Sequence, residues 1–397
     1  MKWPDLDRRF LPTLAIPLIV GALLIVGVLF VHSASAGPED PFPSPLAKAH
    51  LARVIVGLLI FTVAALADYR LAERCAVPLY LVGLSLLLFL LAVKWSRGGV
   101  VRWFSVAGIS VQPSELAKLF SILLLARLLK TSRVRDDHLP LGAGLLILGI
   151  PFLLVAAQPD LGTALVFVPI GLSMLWVAGI SRRALGTIGG FGVLSALFGY
   201  FFLLHDYQRT RVQVFLGLGE RTGAADGAYH VHNSMIAVGS GGPTGKGYGL
   251  GTHHGLGYLP EDHNDFIFGV IGEEWGLVGT TGVLLLFLTL FLLCLRVAWQ
   301  TRDPFGRLLC VGVTAQLAFQ TIVNIGMTVG LVPVTGLPLP FVSYGGTSML
   351  IVMLGIGMVV GVGLRPIDSL HPDGLRGGTS ERTTLRRSRP REARIAR

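Results

Sequence analysis

Ten stretches of apolar residues, several of them close to twenty long, constrain this chain more than any other feature. They fall at about 11–31, 52–67, 76–93, 115–129, 140–157, 162–180, 184–204, 266–296, 307–331 and 346–364. About twenty apolar residues is the length that carries a helix across the ~30 Å hydrocarbon layer of a bilayer. The runs are continuous rather than alternating, which excludes a membrane β-barrel. Only 14% of the residues are charged, against about 25% in soluble domains. The expected fold is an all-α polytopic membrane protein with ten transmembrane helices. Residues 11–365 form its membrane domain, with a large extracytoplasmic loop at about 205–265 between the seventh and eighth helices.

Charge supplies the orientation. Net charge is +10, which in a membrane protein records topology and attraction to anionic lipid rather than nucleic-acid binding. With both termini inside, 23 of the 33 Lys and Arg lie on the inner side, in keeping with the positive-inside rule. This places the N-terminal residues 1–10 and a basic, disordered tail at 366–397 in the cytoplasm. Lys2, Arg8 and Arg9 before an apolar run and Ser33-Ala34-Ser35-Ala36 have the shape of a signal peptide, but the run exceeds the roughly 7–15 residues of a cleavable one. Cys75, Cys294 and Cys310 have no metal-like spacing and fall near inner span ends, so no disulfide is expected.

Polar residues that interrupt this pattern are the candidates for chemistry. Outside, Lys94, Arg97 and Arg102 break the charge rule, and Arg97-Gly98-Gly99 with Arg102-Trp103 suggests a short re-entrant or interfacial segment. Trp95 and Trp103 would sit at headgroup depth. In Gln112-Pro113-Ser114-Glu115, Ser114 is the expected N-cap of the fourth span. Glu115 and Lys118 are three apart and share a helix face; they either neutralise each other or form part of a site, since intramembrane ionisable residues are functional candidates by default. Asp160 either caps the next helix or faces the same outer cavity. Arg209 and Arg211 add outer positive charge, and Arg182-Arg183 reads as topology only.

The stretch from Tyr229 to Gly279 is the long region that is neither plain span nor tail. Its Gly239–Gly247 portion is not a phosphate loop, since Gly247 stands where the Ser or Thr after the Lys is required, and it reads as backbone able to approach a glycolipid or the membrane closely. Six of the ten histidines lie in or beside the large outer loop at about 205–265 (His205, His230, His232, His253, His254 and His263), in spacings that fit no zinc pattern. Asp265 stands immediately before an apolar helix. It is a candidate N-cap and equally a candidate general base, because a helix N-terminus keeps a carboxylate ionised. Glu273 and Glu274 either line a cavity or face other helices. The Pro- and Gly-rich segment at 330–348 cannot be regular helix, and at membrane depth it must be buried in protein or line a wet cavity. Asn324 faces that cavity or bonds a neighbouring helix.

Five blocks in this order resemble the SEDS family of bacterial cell-wall polymerases, the RodA/FtsW group. They are Arg102 to Lys118, QPDLGTA (Gln158 to Ala164), Asn233 to Gly247, LPEDHNDFIFGVIGEEWG (Leu259 to Gly276) and PVTGLPLPFVSYGGTS (Pro333 to Ser348). The run from Gly245 to Glu261 is more similar to the elongation branch than to the division branch. Two positions depart from the family pattern, Asn264 for Thr and Asn233 for Gln, and both keep hydrogen bonding. The resemblance implies a glycosyltransferase of the cytoplasmic membrane that polymerises lipid II, with an extracytoplasmic active site. Asp265 would be its general base. Lys118 and Arg102, with Arg209 or Arg211, would steady the departing polyprenyl diphosphate, and Lys246 and Ser343 complete the substrate-binding candidates. Glu115 and Asp160 would order Lys118 or hold a divalent cation (Mg or Mn). The implied partners are a class B penicillin-binding protein and other elongation-complex membrane proteins. A lipid II flippase is the competing reading.

Overall fold

The computed structural model describes residues 10–36, 41–97, 102–106, 109–131, 138–202, 209, 213, 226–252 and 264–365. Its helices are α1 (Leu11–Ser35), α2 (Pro45–Leu66), α3 (Tyr69–Arg74), α4 (Ala76–Arg97), α5 (Pro113–Leu129), α6 (His138–Ala157), α7 (Leu161–Leu165), α8 (Phe167–Val177), α9 (Arg182–Phe202), α10 (Asp226–Ser240), α11 (Ile267–Gln300), α12 (Pro304–Thr328) and α13 (Gly346–Leu364). Among the described residues six of these, α1, α2, α4, α11, α12 and α13, are long and apolar enough to cross a membrane. The molecule is a multi-pass helical membrane protein.

Two local expectations are corrected and a third gains detail. The run at 162–180 is not one helix but α7 and α8, broken at Val166. Pro169 has no N–H to give the Leu165 carbonyl and its ring crowds that oxygen, which interrupts the ladder there. The helix expected to start at Ser114 is capped by Gln112 instead, with Pro113 at its first position, where a fixed φ and a missing donor cost nothing. The segment around Arg102 is a β-hairpin, β1 (Phe104–Val106) paired antiparallel with β2 (Ile109–Val111), Phe104 opposite Val111.

Lipid offers no hydrophobic drive between helices, so close packing has to come from small residues. The seam between α2 and α13 shows this. A Cβ on Gly357 would lie 2.5 Å from the Phe61 carbonyl oxygen, and one on Gly361 would lie 3.2 Å from that of Ala64. The opposite face of α2 carries Ile55, Leu59, Val63 and Leu66, all exposed from the protein. One end of the bundle is tied by cations on helix C-termini, as the helix dipole favours. Arg365 Nη1 donates to the Ala65 carbonyl (3.1 Å), Arg127 Nη1 to that of Arg74 (3.1 Å) and Arg307 Nη2 to that of Thr301 (3.1 Å). Lys130 pairs with Glu73 at the same end.

At the other end, α11 is kinked at Gly276 (φ 62°, ψ −155°). Residues 277–300 alone reach about 36 Å, enough for the span, so Glu273 and Glu274 belong to a separate segment above it. The Gly-rich stretch is clamped onto this kink rather than left free for lipid. Lys246 N donates to the Glu273 carbonyl (3.0 Å), Gly247 N to that of Glu274 (3.0 Å), and Leu277 N to that of Gly242 (2.9 Å). A Cβ on Gly245, whose φ is +79°, would lie 2.0 Å from the Glu274 carbonyl oxygen, whereas Gly242 (φ +59°) has open space around it. Gly245→Ala is therefore expected to lower folded yield and thermal stability well beyond Gly242→Ala, which carries only the left-handed backbone cost of about 1–2 kcal/mol. Equal melting shifts in detergent for the two variants would contradict the clamp.

Candidate active site

The two acids of the α11 segment are buried and face protein. Glu273 Oε1 accepts from Lys246 Nζ (2.6 Å), Thr252 N (2.8 Å) and Thr252 Oγ1 (3.0 Å). Glu274 accepts from Ser33 Oγ on α1. Lys246, expected among the substrate-binding groups, is thus engaged in holding the loop to α11. Tyr248 reinforces the clamp by donating to the Leu29 carbonyl (2.8 Å). Burial, with a smaller contribution from Glu274, pushes its hydroxyl up to about 12 and keeps it a neutral donor at ordinary pH.

Glu115 and Lys118 occupy the first turn and a half of α5. Lys118 Nζ lies 2.7 Å from Glu115 Oε1, with side-chain exposures of 0% and 2%. Glu115 Oε2 has no hydrogen-bond partner, so one carboxylate oxygen remains for something else. Gln112, the residue capping α5, gives its Nε2 to Asp160 Oδ2 (3.2 Å), while Asp160 Oδ1 accepts from Thr163 N (3.3 Å) and caps α7. Arg102 donates to the Pro159 carbonyl, and its Nε has no partner. Arg102, Asp160, Glu115 and Lys118 are therefore joined through the N-terminus of α5.

The segment at 330–345 brings Asp265 to this cluster. Asn324, fully buried on α12, donates from Nδ2 to two main-chain carbonyls, Asp265 (2.9 Å) and Leu337 (2.7 Å). A Cβ on Gly336 would lie 3.6 Å from Asp265 Oδ2, so the carboxylate rests against that glycine; a Cβ on Gly162 would lie 2.5 Å from the Thr335 oxygen. Asp265, Gly336, Thr335 and the Asp160 turn are thereby neighbours. Further along, Thr347 Oγ1 accepts from Gln112 N (3.3 Å) and donates to the Ser110 carbonyl (2.7 Å). Phe266, not Asp265, is the N-cap of α11, and Asp265 is half-buried.

Ser343 is buried and accepts from Leu339 N (2.8 Å), shaping the segment from within. Arg209 Nη2 donates to the Phe201 carbonyl at the end of α9 (2.8 Å). Arg211, His253, His254 and His263 lie outside the described residues. Among the described residues no three His, Cys, Asp or Glu side chains cluster as metal ligands. Gln112, which marks only a helix boundary in the sequence, and Thr347, which lies unremarked in the Pro333 to Ser348 block, turn out to be the ties between elements. Their signal was position alone, next to Pro113 and Gly346.

Asn324→Leu removes both donor bonds and leaves two buried carbonyls bare, at about 1–3 kcal/mol each. It is expected to lower kcat at least tenfold by loosening Asp265 against Gly336. Unchanged kcat in a folded variant would mean that the bridge does not position the carboxylate.

A polytopic bundle carrying a buried ion pair and a carboxylate around one irregular segment has the make-up of a membrane-embedded enzyme. The model of the FtsW, RodA and SpoVE group, described as cell cycle protein, matches residues 14–365, and the chain belongs to that family. It is 38% identical over 348 residues to the peptidoglycan glycosyltransferase MrdB of Escherichia coli K12, covering 87% of this chain and 91% of that one. It is 36% identical over 362 residues to a probable peptidoglycan glycosyltransferase FtsW of Geobacter metallireducens, covering 89% and 94%. Among solved structures, the chain resembles one from a peptidoglycan synthase complex described as coordinating polymerization and crosslinking. The TM-score is 0.73 at 28% identity, with 91% of this chain and 98% of that one covered. It also resembles the rod shape determining protein RodA of Thermus thermophilus, with a TM-score of 0.65 at 28% identity over 90% and 97%.

Proposed function

We propose that this chain is a peptidoglycan glycosyltransferase of cell elongation that polymerises lipid II, with Asp265 as its general base. The observation that carries the reading is the gathering of Asp265, Asp160, Glu115, Lys118 and Arg102 around residues 335–347 at one end of the bundle. In the reaction Asp265 takes the proton of the acceptor GlcNAc 4-hydroxyl. That oxygen attacks the anomeric carbon of the donor, the bond to the diphosphate breaks, and the electron pair leaves with polyprenyl diphosphate. One in-line displacement converts the α-linked donor to a β-linked product. Lys118 and Arg102 stabilise the charge on the departing group, which is where preorganised cations are most effective. Arg209 or Arg211 would help them steady the diphosphate. Mg²⁺ or Mn²⁺ typically takes one or two carboxylates plus phosphate oxygens, so Glu115 Oε2 together with the diphosphate would hold it and neutralise charge there.

The reading includes ten spans over residues 11–365 with both termini cytoplasmic and the site extracytoplasmic. Support comes from the cations at the end opposite Asp265, where Arg127, Arg307 and Arg365 bind helix carbonyls. A class B penicillin-binding protein is the proposed partner, in line with the complex that the fold resembles. A flippase would place its polar site near the midplane with access from both faces; here Asp265 precedes α11 and Glu115 opens α5. The test is reconstitution of the full chain with labelled lipid II, with and without the partner. Glycan ladders on a gel are expected; lipid transfer across the vesicle without polymer would instead establish transport.

A further inference from the structure

A second set of polar groups lies on α2 against Tyr344, just before α13. Arg53 is a cation on the span α2, where charge is costly and marks function. Its guanidinium carbon sits 4.2 Å from the ring centroid of Tyr344, and it forms no ion pair among the described residues. Its Nη1 has no partner. His50, one turn earlier on the same face, is 0% exposed, and neither ring nitrogen is hydrogen-bonded. Its ring lies 6.0 Å from that of Tyr344.

The α2–α13 register completes the picture. Gly57 meets Met353, Phe61 meets Gly357 and Ala64 meets Gly361, so the helices run parallel in step. The same step carried outward sets His50 and Arg53 beside the first turn of α13. That helix is capped by Gly345, which offers no side chain to its free N–H groups. A helix N-terminus favours an anion, and the unpartnered His50 ring nitrogens and Arg53 Nη1 supply the donors beside it.

We propose that His50, Arg53 and the α13 N-terminus form a phosphate subsite for a second lipid-linked diphosphate, that of the acceptor. The inference rests on the proposed polymerase function, which requires two lipid-linked substrates at once. Lys118 and Arg102 serve the diphosphate that departs; His50 and Arg53 hold the one that stays. Because the acceptor diphosphate is bound equally before and during reaction, weakening it raises KM and leaves kcat in place. Tyr344 orients the guanidinium through its ring face.

The test uses the full chain in phosphatidylcholine nanodiscs with polyprenyl diphosphate as probe, counted by native mass spectrometry. The wild type is expected to hold two and Arg53→Gln one, with Arg53→Lys restoring the second. Arg53→Gln is also expected to raise the KM for lipid II about tenfold or more, the weight of one charge-assisted contact. A parallel arm adds phosphatidylglycerol. Displacement of the second diphosphate by that headgroup, or an equal count in wild type and Arg53→Gln, overturns the proposal. The count needs no turnover, so a chain that makes no glycan refutes the polymerase reading while leaving the subsite measurable.

Discussion

Asp265→Asn is expected to lower kcat for glycan polymerisation by about 10²–10⁴-fold, the usual weight of a general base. The amide keeps the shape that rests against Gly336 and cannot accept the sugar proton. The Asn324 bond goes to the main-chain carbonyl of Asp265, so the segment stays anchored and the fold should be unaffected. Labelled lipid II resolved on a gel gives the rate, and a melting curve with a lipid-binding measurement shows that the variant is intact. Polymer formed at the wild-type rate by Asp265→Asn would remove the residue from the chemistry.

The second large effect is expected at Lys118. Replacing it by Met leaves the Glu115 carboxylate buried without its partner, and breaking a buried ion pair in this way costs about 3–5 kcal/mol. The full loss is expected because both side chains are almost wholly buried. Lys118→Met should therefore both destabilise the protein and abolish polymerisation. The double variant Glu115→Gln with Lys118→Met removes the stranded charge and should recover most of the stability while remaining inactive. Neighbouring sites of this kind are non-additive, and the cycle measures that coupling. Activity returning along with stability would reduce the pair to a structural role.

Much of the site was legible because charge in an apolar span is conspicuous. Glu115 and Lys118, at helical spacing, do pair, and Asp160 before an apolar run does cap a helix. Asp265 stood out for the same reason, though it is displaced from the cap by Phe266. Lys246 and Glu273 read as separate candidates, and only the fold reveals that they hold each other. Their sequence separation carries no pairing signal, and the kink at Gly276 that brings them together depends on a glycine among many. His50 falls just before the second apolar run at 52–67 and Arg53 is a lone charge inside it, so neither carried a pairing signal in the sequence.

Apolar run length and charge bias alone determined that the chain crosses a membrane as helices, because a bilayer demands satisfied backbone and about twenty apolar residues per crossing. Motif order was enough to indicate the family. Tertiary structure alone decided that the glycine-rich stretch closes on α11 rather than on lipid, and that residues 335–347 draw Asp265 toward the α5 ion pair. Such approaches depend on helix register and on backbone contacts where a Cβ would collide, and neither is encoded in the identity of any single residue.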